Sequence, residues 1–247
     1  MEITILGSGT ILSGPHRNPA GFFLKNGKRS ALLDCGPGIL RRLKEQQIDI
    51  LDIQTIFLTH FHLDHCADVF PLLMNRALLK NGVNANLTIY GPHGLVDWFG
   101  QIRQTQGSWL TDALPQLVEL DEKPLQWADL TVRYFYNGHT ESSVSYRFEK
   151  KGNSVFFSGD CGYTNELAQF AHGAALAFTE CSYPDEAAQE GHLTPGELRK
   201  LAEQCRFDHL VLIHIYPEND TPDLLRRVGN YSNGKITVGQ DLMRFSI

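Results

Sequence analysis

The sequence holds no C-x-x-C pair, no run of like charges and no low-complexity tract. Its five cysteines (Cys35, Cys66, Cys161, Cys181, Cys205) are odd in number and widely spaced over 247 residues. That pattern argues against a disulfide framework and against a structural zinc site of four cysteines. No apolar stretch approaches the roughly 20 residues that span a bilayer. The start, MEITILGSGT, lacks the basic n-region of a secretory signal, so a reduced, cytoplasmic protein with no membrane partner is expected. Basic residues are also scarce: Lys+Arg number 22 against 28 Asp+Glu, a net charge of −6. A broad cationic face for duplex nucleic acid is therefore disfavoured. Linkers rich in Ser and Gly are absent too, which points to one domain over residues 1–247.

What is present is ordinary globular material, 42% hydrophobic and 20% charged, which excludes the disordered and fibrous classes. Short apolar runs alternate with turns. Strands are expected at 3–6, 21–24, 31–33, 53–58 and 87–90, then at 117–120, 130–136, 143–149, 154–158, 175–179 and 210–214. Asn26-Gly27 between two apolar runs is a hairpin signal. Helices are expected at 39–47, 66–80, within 94–114, and at 166–170, 195–204 and 221–228. The sequence Thr194-Pro195-Gly196-Glu197 is a capping box with proline at the first helical position. Strand-rich halves that each carry helices suggest an α/β fold of two sheets packed face to face with helices outside.

One segment concentrates the chemistry: Thr59-His60-Phe61-His62-Leu63-Asp64-His65 places three histidines and an aspartate within six positions, between an apolar strand and a helix. Neutral imidazoles and carboxylates bind divalent metals, and a strand-to-helix loop can turn successive side chains toward two centres. His60 and His62, two apart in an extended segment, point to one side. Asp64 and His65 follow after the chain turns.

This H-x-H-x-D-H segment resembles the signature of the metallo-β-lactamase superfamily, and the family's remaining motifs follow in order. His139 in Tyr136-Asn137-Gly138-His139 matches the third histidine. Asp160 in Ser158-Gly159-Asp160 matches the aspartate that bridges two metals, and His214 in Leu212-Ile213-His214 the last ligand. Asp34 in Leu33-Asp34-Cys35-Gly36 matches an early acidic residue that supports the ligands from behind. The resemblance implies a four-layer αββα sandwich and a dinuclear site. In it His60, His62 and His139 hold one metal, Asp64, His65 and His214 the second, and Asp160 both. Zinc is the expected ion, with manganese or iron as substitutes.

Two divalent ions bring about +4, Asp64 and Asp160 return two negatives, and a bridging hydroxide leaves about +1, so an anionic substrate is welcome. Such a centre hydrolyses phosphodiesters, thioesters or lactams. Asp160 tilts the choice away from the zinc β-lactamases, which typically lack this bridge. Gly191-His192-Leu193-Thr194 resembles the H-x-T element of the ribonuclease Z branch, where the histidine stabilises the transition state or protonates the leaving oxygen. Asp64 and His192 are thus the candidate catalytic residues. The alternative for His192 is a solvent-exposed loop histidine. Arg17, in His16-Arg17-Asn18-Pro19, resembles a substrate-positioning loop and is read as a phosphate contact; a plain surface arginine is the alternative.

One departure bears on substrate size. Ribonuclease Z typically carries a long tRNA-clamping arm between the third histidine and the bridging aspartate, whereas only 20 residues separate His139 from Asp160. With no arm and no basic cluster, the electrostatic release that drives tRNA affinity is small. The expectation is a phosphodiesterase acting on a small or cyclic phosphodiester. A ribonuclease Z-like tRNA 3′-processing endonuclease, a glyoxalase II-like thioester hydrolase and a non-catalytic metal-stabilised scaffold are the alternatives. A homodimer is left open. Gly7-Ser8-Gly9 is read as a tight turn, Cys66 and Cys161 as neighbours of the ligands that could tune the metals, and Trp98, Phe99 and Trp109 as helix-packing or lid aromatics.

Overall fold

Short strands, many of them almost wholly buried, set the architecture of the protein. A computed structural model describes residues 1–12, 14–79, 86–107, 114–229 and 234–247. The chain divides into two units, one comprising residues 1–7, 18–122 and 241–246 and the other 8–17, 123–240 and 247.

The first unit carries β1 (Glu2–Gly7), β2 (Gly21–Asn26), β3 (Arg29–Cys35), β4 (Thr55–Phe57), β5 (Thr88–Gly91) and β6 (Gln116–Glu119). They lie side by side in that order, with the last strand of the chain, Arg244–Ser246, paired antiparallel to β1. β1, β2 and β3 are antiparallel neighbours, and β3 to β6 run parallel. Parallel neighbours need crossovers, and four described α-helices fall within them: α1 (Ile39–Glu45), α2 (Leu63–Cys66), α3 (Val69–Leu79) and α4 (Leu95–Thr105). Leu32 and Ile56 from the strands meet Ile39, Leu43, Val69, Leu72 and Leu73 from the helices in one buried cluster.

The second unit carries β7 (Leu125–Trp127), β8 (Leu130–Tyr136), β9 (Val144–Lys150), β10 (Asn153–Phe157), β11 (Leu176–Glu180), β12 (His209–Ile213) and β13 (Lys235–Val238), also adjacent in chain order. Here β7 to β10 are antiparallel and β10 to β13 parallel. The helices α5 (Asn165–Ala171), α6 (Pro195–Cys205) and α7 (Leu224–Val228) share a core with the sheet, in which Leu198, Leu201 and Leu224 meet Phe156, Ala177 and Leu212. The expected capping box opens α6: the Thr194 hydroxyl accepts from Glu197 N and Glu197 Oε2 accepts from Thr194 N. Such a cap is worth about 1 kcal/mol.

Three expectations change in detail. The hairpin turn sits one residue later, at Gly27-Lys28. Asn26 pairs with Arg29, and Gly27 takes φ 61 at the first central position, as a type II′ turn requires. The helix expected over 66–80 is two, separated at Ala67-Asp68; Asp68 N donates to Cys35 O, and its carboxylate accepts from Leu40 N. Binding β3 and α1 at once pulls Asp68 out of the helical path. Lys80, the expected end, lies outside the described residues, as does Trp109. The third concerns the edges: β7, β13 and the last strand are three or four residues long and only partly buried, so no apolar run announces them. No described helix is long and apolar enough to cross a membrane.

Candidate metal centre

In the first unit the clustered histidines follow β4. Residues 58–62 run on from the strand, and the chain turns into α2 at His62, whose ψ is 145 and whose side chain makes no cap. Asp64 and His65 therefore enter on the first turn of a helix while His60 and His62 stay in extended chain. Their ring centroids are 4.6 Å apart, and His60 and His65 are 4.2 Å apart. His60, Asp64 and His65 are buried and His62 is exposed. Gly36 makes the close approach possible, since a Cβ there would meet Asp64 O at 1.9 Å. The Cys66 thiol supports the turn by donating to the carbonyls of Phe61 (3.3 Å) and His62 (3.1 Å), and burial pushes its pKa up to about 12. It acts on the ligand loop as a neutral donor.

Asp34 organises this half. It is buried at the end of β3 with φ 58, a left-handed conformation that costs a non-glycine residue of the order of 1–3 kcal/mol when imposed by its surroundings. Its Oδ2 accepts from His65 Nδ1 at 2.7 Å and from the Thr59 hydroxyl at 2.9 Å, and Oδ1 accepts from Thr59 N at 2.8 Å. Because the Thr59 proton goes to Asp34, its oxygen accepts from His60 Nδ1 at 3.0 Å. Both buried imidazoles thus place their proton on Nδ1, leaving the lone pair on Nε2. Metal-binding histidines have this arrangement.

In the second unit the strand ends again supply the groups. Asn137, after β8, stitches three loops together. Its amide donates to Ser145 Oγ, Ser158 O and Asp160 O, and its Oδ1 accepts from His139 N and the Ser143 hydroxyl. His139 Nδ1 donates to Gly191 O at 2.9 Å and its Nε2 faces Asp160 Oδ2 at 3.8 Å. Burial, opposed in part by Asp160, holds the His139 imidazole below the usual histidine range, which favours the neutral ring a metal needs. His214, just past β12 at φ 50, places Nε2 3.3 Å from Asp160 Oδ1. Asp160, His192 and His214 offer ligand atoms within 4.8 Å of one another.

Glu180, fully buried at the end of β11, organises this half. Its carboxylate accepts from the Ser182 hydroxyl, from His192 Nδ1 at 3.1 Å, and from the backbone N–H of Cys161 and Leu193. With the Ser182 proton directed to Glu180, its Oγ accepts from His214 Nδ1 at 2.9 Å. His214 is oriented like His60. Glu180, Ser182, Thr59 and Asn137 escaped the sequence reading. A carboxylate that closes the apolar run Leu176–Glu180 was the one available signal, the same signal that marks Asp34 after Leu33. Cys161 packs in the core of its unit. The guanidinium of Arg17 is paired with Asp220 at 2.8 and 2.9 Å and also donates to Ser8 Oγ and Gly239 O.

The donor set in each unit suits a divalent cation: imidazole Nε2 atoms and carboxylates, with Nδ1 anchored in four of the five histidines expected to bind metal. The profile of the Beta-lactamase superfamily domain matches residues 29–215. The chain belongs to that superfamily. Within it, the sequence is 22% identical to the probable metallo-hydrolase YhfI of Bacillus subtilis over 97% of both chains. The crystal structure of YhfI superposes with a TM-score of 0.83 over 99% of this chain and 98% of that one. A ribonuclease Z of Mycobacterium bovis is 26% identical over 100% of this chain and 98% of its own. The human tRNase Z short form is 25% identical, with a TM-score of 0.80 over 100% and 99% of the two chains. The metallo-β-lactamase fold expected from the motifs is therefore the fold of this protein, a metallo-hydrolase of the superfamily, and family membership implies divalent metal binding.

Proposed function

We propose that this metallo-hydrolase is a phosphodiesterase with a dinuclear centre, acting on a small or cyclic phosphodiester, and that residues 1–247 work as one catalytic domain in the cytoplasm. In this reading His60, His62 and His139 would hold one ion and Asp64, His65 and His214 the other, with Asp160 as the shared ligand. Zinc best fits this histidine-rich, borderline set. Two such ions, when bound, supply a hydrolytic nucleophile at neutral pH and positive charge for the transition state.

One observation carries the protein's own contribution: the Nδ1 of His192, which this reading leaves outside the seven ligands, is held at 3.1 Å by the buried carboxylate of Glu180. That contact fixes the ring, so that an Nε2–H can be presented to the leaving alkoxide oxygen. Alkoxides need such a proton far more than thiolates do, which favours an oxygen ester over a thioester. Asp34 and Glu180 orient the ligands; Arg17, already paired with Asp220, fixes the loop of residues 8–17 and would meet a phosphate only as part of that pair.

Between His139 and Asp160 the chain forms only the β9–β10 hairpin and its flanking turns. That brevity supports a small substrate. The likeness to ribonuclease Z favours tRNA 3′ processing as the second reading. The deciding assay compares bis(p-nitrophenyl) phosphate, S-lactoylglutathione and a tRNA precursor with a 3′ trailer on zinc- and manganese-loaded protein. Turnover of the phosphodiester is expected to exceed the other two. Activity confined to the thioester would overturn the proposal, and preference for the precursor would move it to the second reading.

A further inference from the structure

Beside His192 and His214 stand two tyrosines to which the hydrolytic reading gives no task. Tyr183 and Tyr216 stack on one another, with ring centroids 4.3 Å apart and planes inclined by 22°. Tyr183 meets His192 edge-on at 5.5 Å, and Tyr216 meets His214 edge-on at 5.7 Å and His192 at 6.3 Å. Both tyrosines are half-buried, so each keeps part of its surface open to solvent. Their backbone is fixed: Tyr216 N donates to Ser182 O, and the fully buried Asn219, in the turn that Tyr216 opens, donates its amide to Cys181 O at 2.8 Å. The stack thus grows from the ends of two neighbouring parallel strands, β11 and β12, and is held before any ligand arrives.

We infer that Tyr183 and Tyr216 form a stacking platform for a nucleobase, so that the phosphodiester cleaved beside His192 belongs to a nucleotide. This deepens the hydrolytic proposal and rests on its placement of His192 at the leaving oxygen. Two preorganised rings next to the phosphate site offer a planar heteroaromatic group favourable area at little entropic cost. Stacking engages the ring face, so the platform tolerates different bases and favours the larger purines.

Binding isolates the stacking from the chemistry. On the metal-loaded protein, adenosine 5′-monophosphate and ribose 5-phosphate differ only in the base, and their Kd values are read by calorimetry. The nucleotide is expected to bind about tenfold more tightly, the scale of one base–aromatic stack. Tyr183→Leu and Tyr216→Leu should each reduce that ratio severalfold, whereas Tyr183→Phe and Tyr216→Phe, which keep the ring, should preserve it. Equal affinities in the wild type, or a ratio unchanged in both leucine variants, would overturn the inference. Failure of all phosphodiester turnover would defeat the hydrolytic proposal instead, and the binding ratio would still report on the platform.

Discussion

In the first unit Asp34 takes His65 Nδ1 directly and His60 Nδ1 through the Thr59 hydroxyl; in the second, Glu180 takes His192 Nδ1 directly and His214 Nδ1 through the Ser182 hydroxyl. Each site also has a non-glycine residue at positive φ by a strand end, Asp34 at 58° and His214 at 50°. Carboxylate, hydroxyl and histidine recur with the same connectivity, but the directly held histidine differs. His65 follows His62 by three residues, inside α2, and is itself an expected ligand. His192 precedes the helix α6 and lies outside the expected ligand set. The same device serves, in our reading, to fix a metal ligand in one unit and a proton donor in the other. A carboxylate behind an imidazole therefore does not reveal what the far nitrogen does; the company of that nitrogen decides.

Substitutions can break this parallel, and the largest effect belongs to the residue that would serve both metals. Asp160→Ala should lose at least one equivalent of metal by elemental analysis and lower kcat by more than about 10³-fold, since it removes a ligand and an electrostatic anchor together. Retention of both metals would remove Asp160 from the bridging role. Next comes His192→Ala, expected to lower phosphodiester kcat by about 10²–10⁴-fold, the range of general acid–base catalysis, while metal content stays near that of the wild type. Unchanged turnover would reduce His192 to a structural histidine and restore the symmetry between the halves.

Asp34→Asn tests the first unit's carboxylate without disturbing its backbone, because asparagine tolerates the left-handed conformation. Metal affinity should fall about 10–100-fold, as for other lost partners of ligating histidines. Glu180→Gln should instead show its main effect in kcat, with a smaller change in metal affinity through Ser182 and His214. Equal loss of metal in the two variants would mean that the units do not divide the labour. The smallest change is expected from Ser182→Ala, a loss of severalfold to about tenfold in metal affinity, since His214 loses one neutral hydrogen bond. Thr59→Val should match it in the first unit, and competition with a chromophoric chelator measures both.

The part of the site carried on consecutive residues was legible without coordinates. His60, His62, Asp64 and His65 lie within six positions, and a strand-to-helix transition is enough to spread them in space. His139, Asp160 and His214 were legible by order, each after an apolar strand, through resemblance to a family. Glu180 and Ser182 were not, because one acidic residue at the end of one more apolar run is locally indistinguishable from a strand terminator. The partner of Arg17 was equally illegible, since Asp220 lies 203 positions away. The hairpin turn moved by one residue for a similar reason, since strand register between Asn26 and Arg29 outweighs the preference of an Asn-Gly pair.

By itself, then, the sequence determined the class of fold, most of its strands and helices, and the residues able to bind metal, since these depend on apolar periodicity and on ligand types at short spacing. Tertiary structure alone decided which nitrogen of each anchored imidazole bears the proton and which carboxylate stands behind it. It also decided that two tyrosines 33 positions apart stack beside His192. Those properties are set by contacts between residues distant in the chain, made only when strands pair in register and bury their ends. No local pattern encodes a hydrogen bond from His214 to Ser182 until β11 and β12 lie side by side.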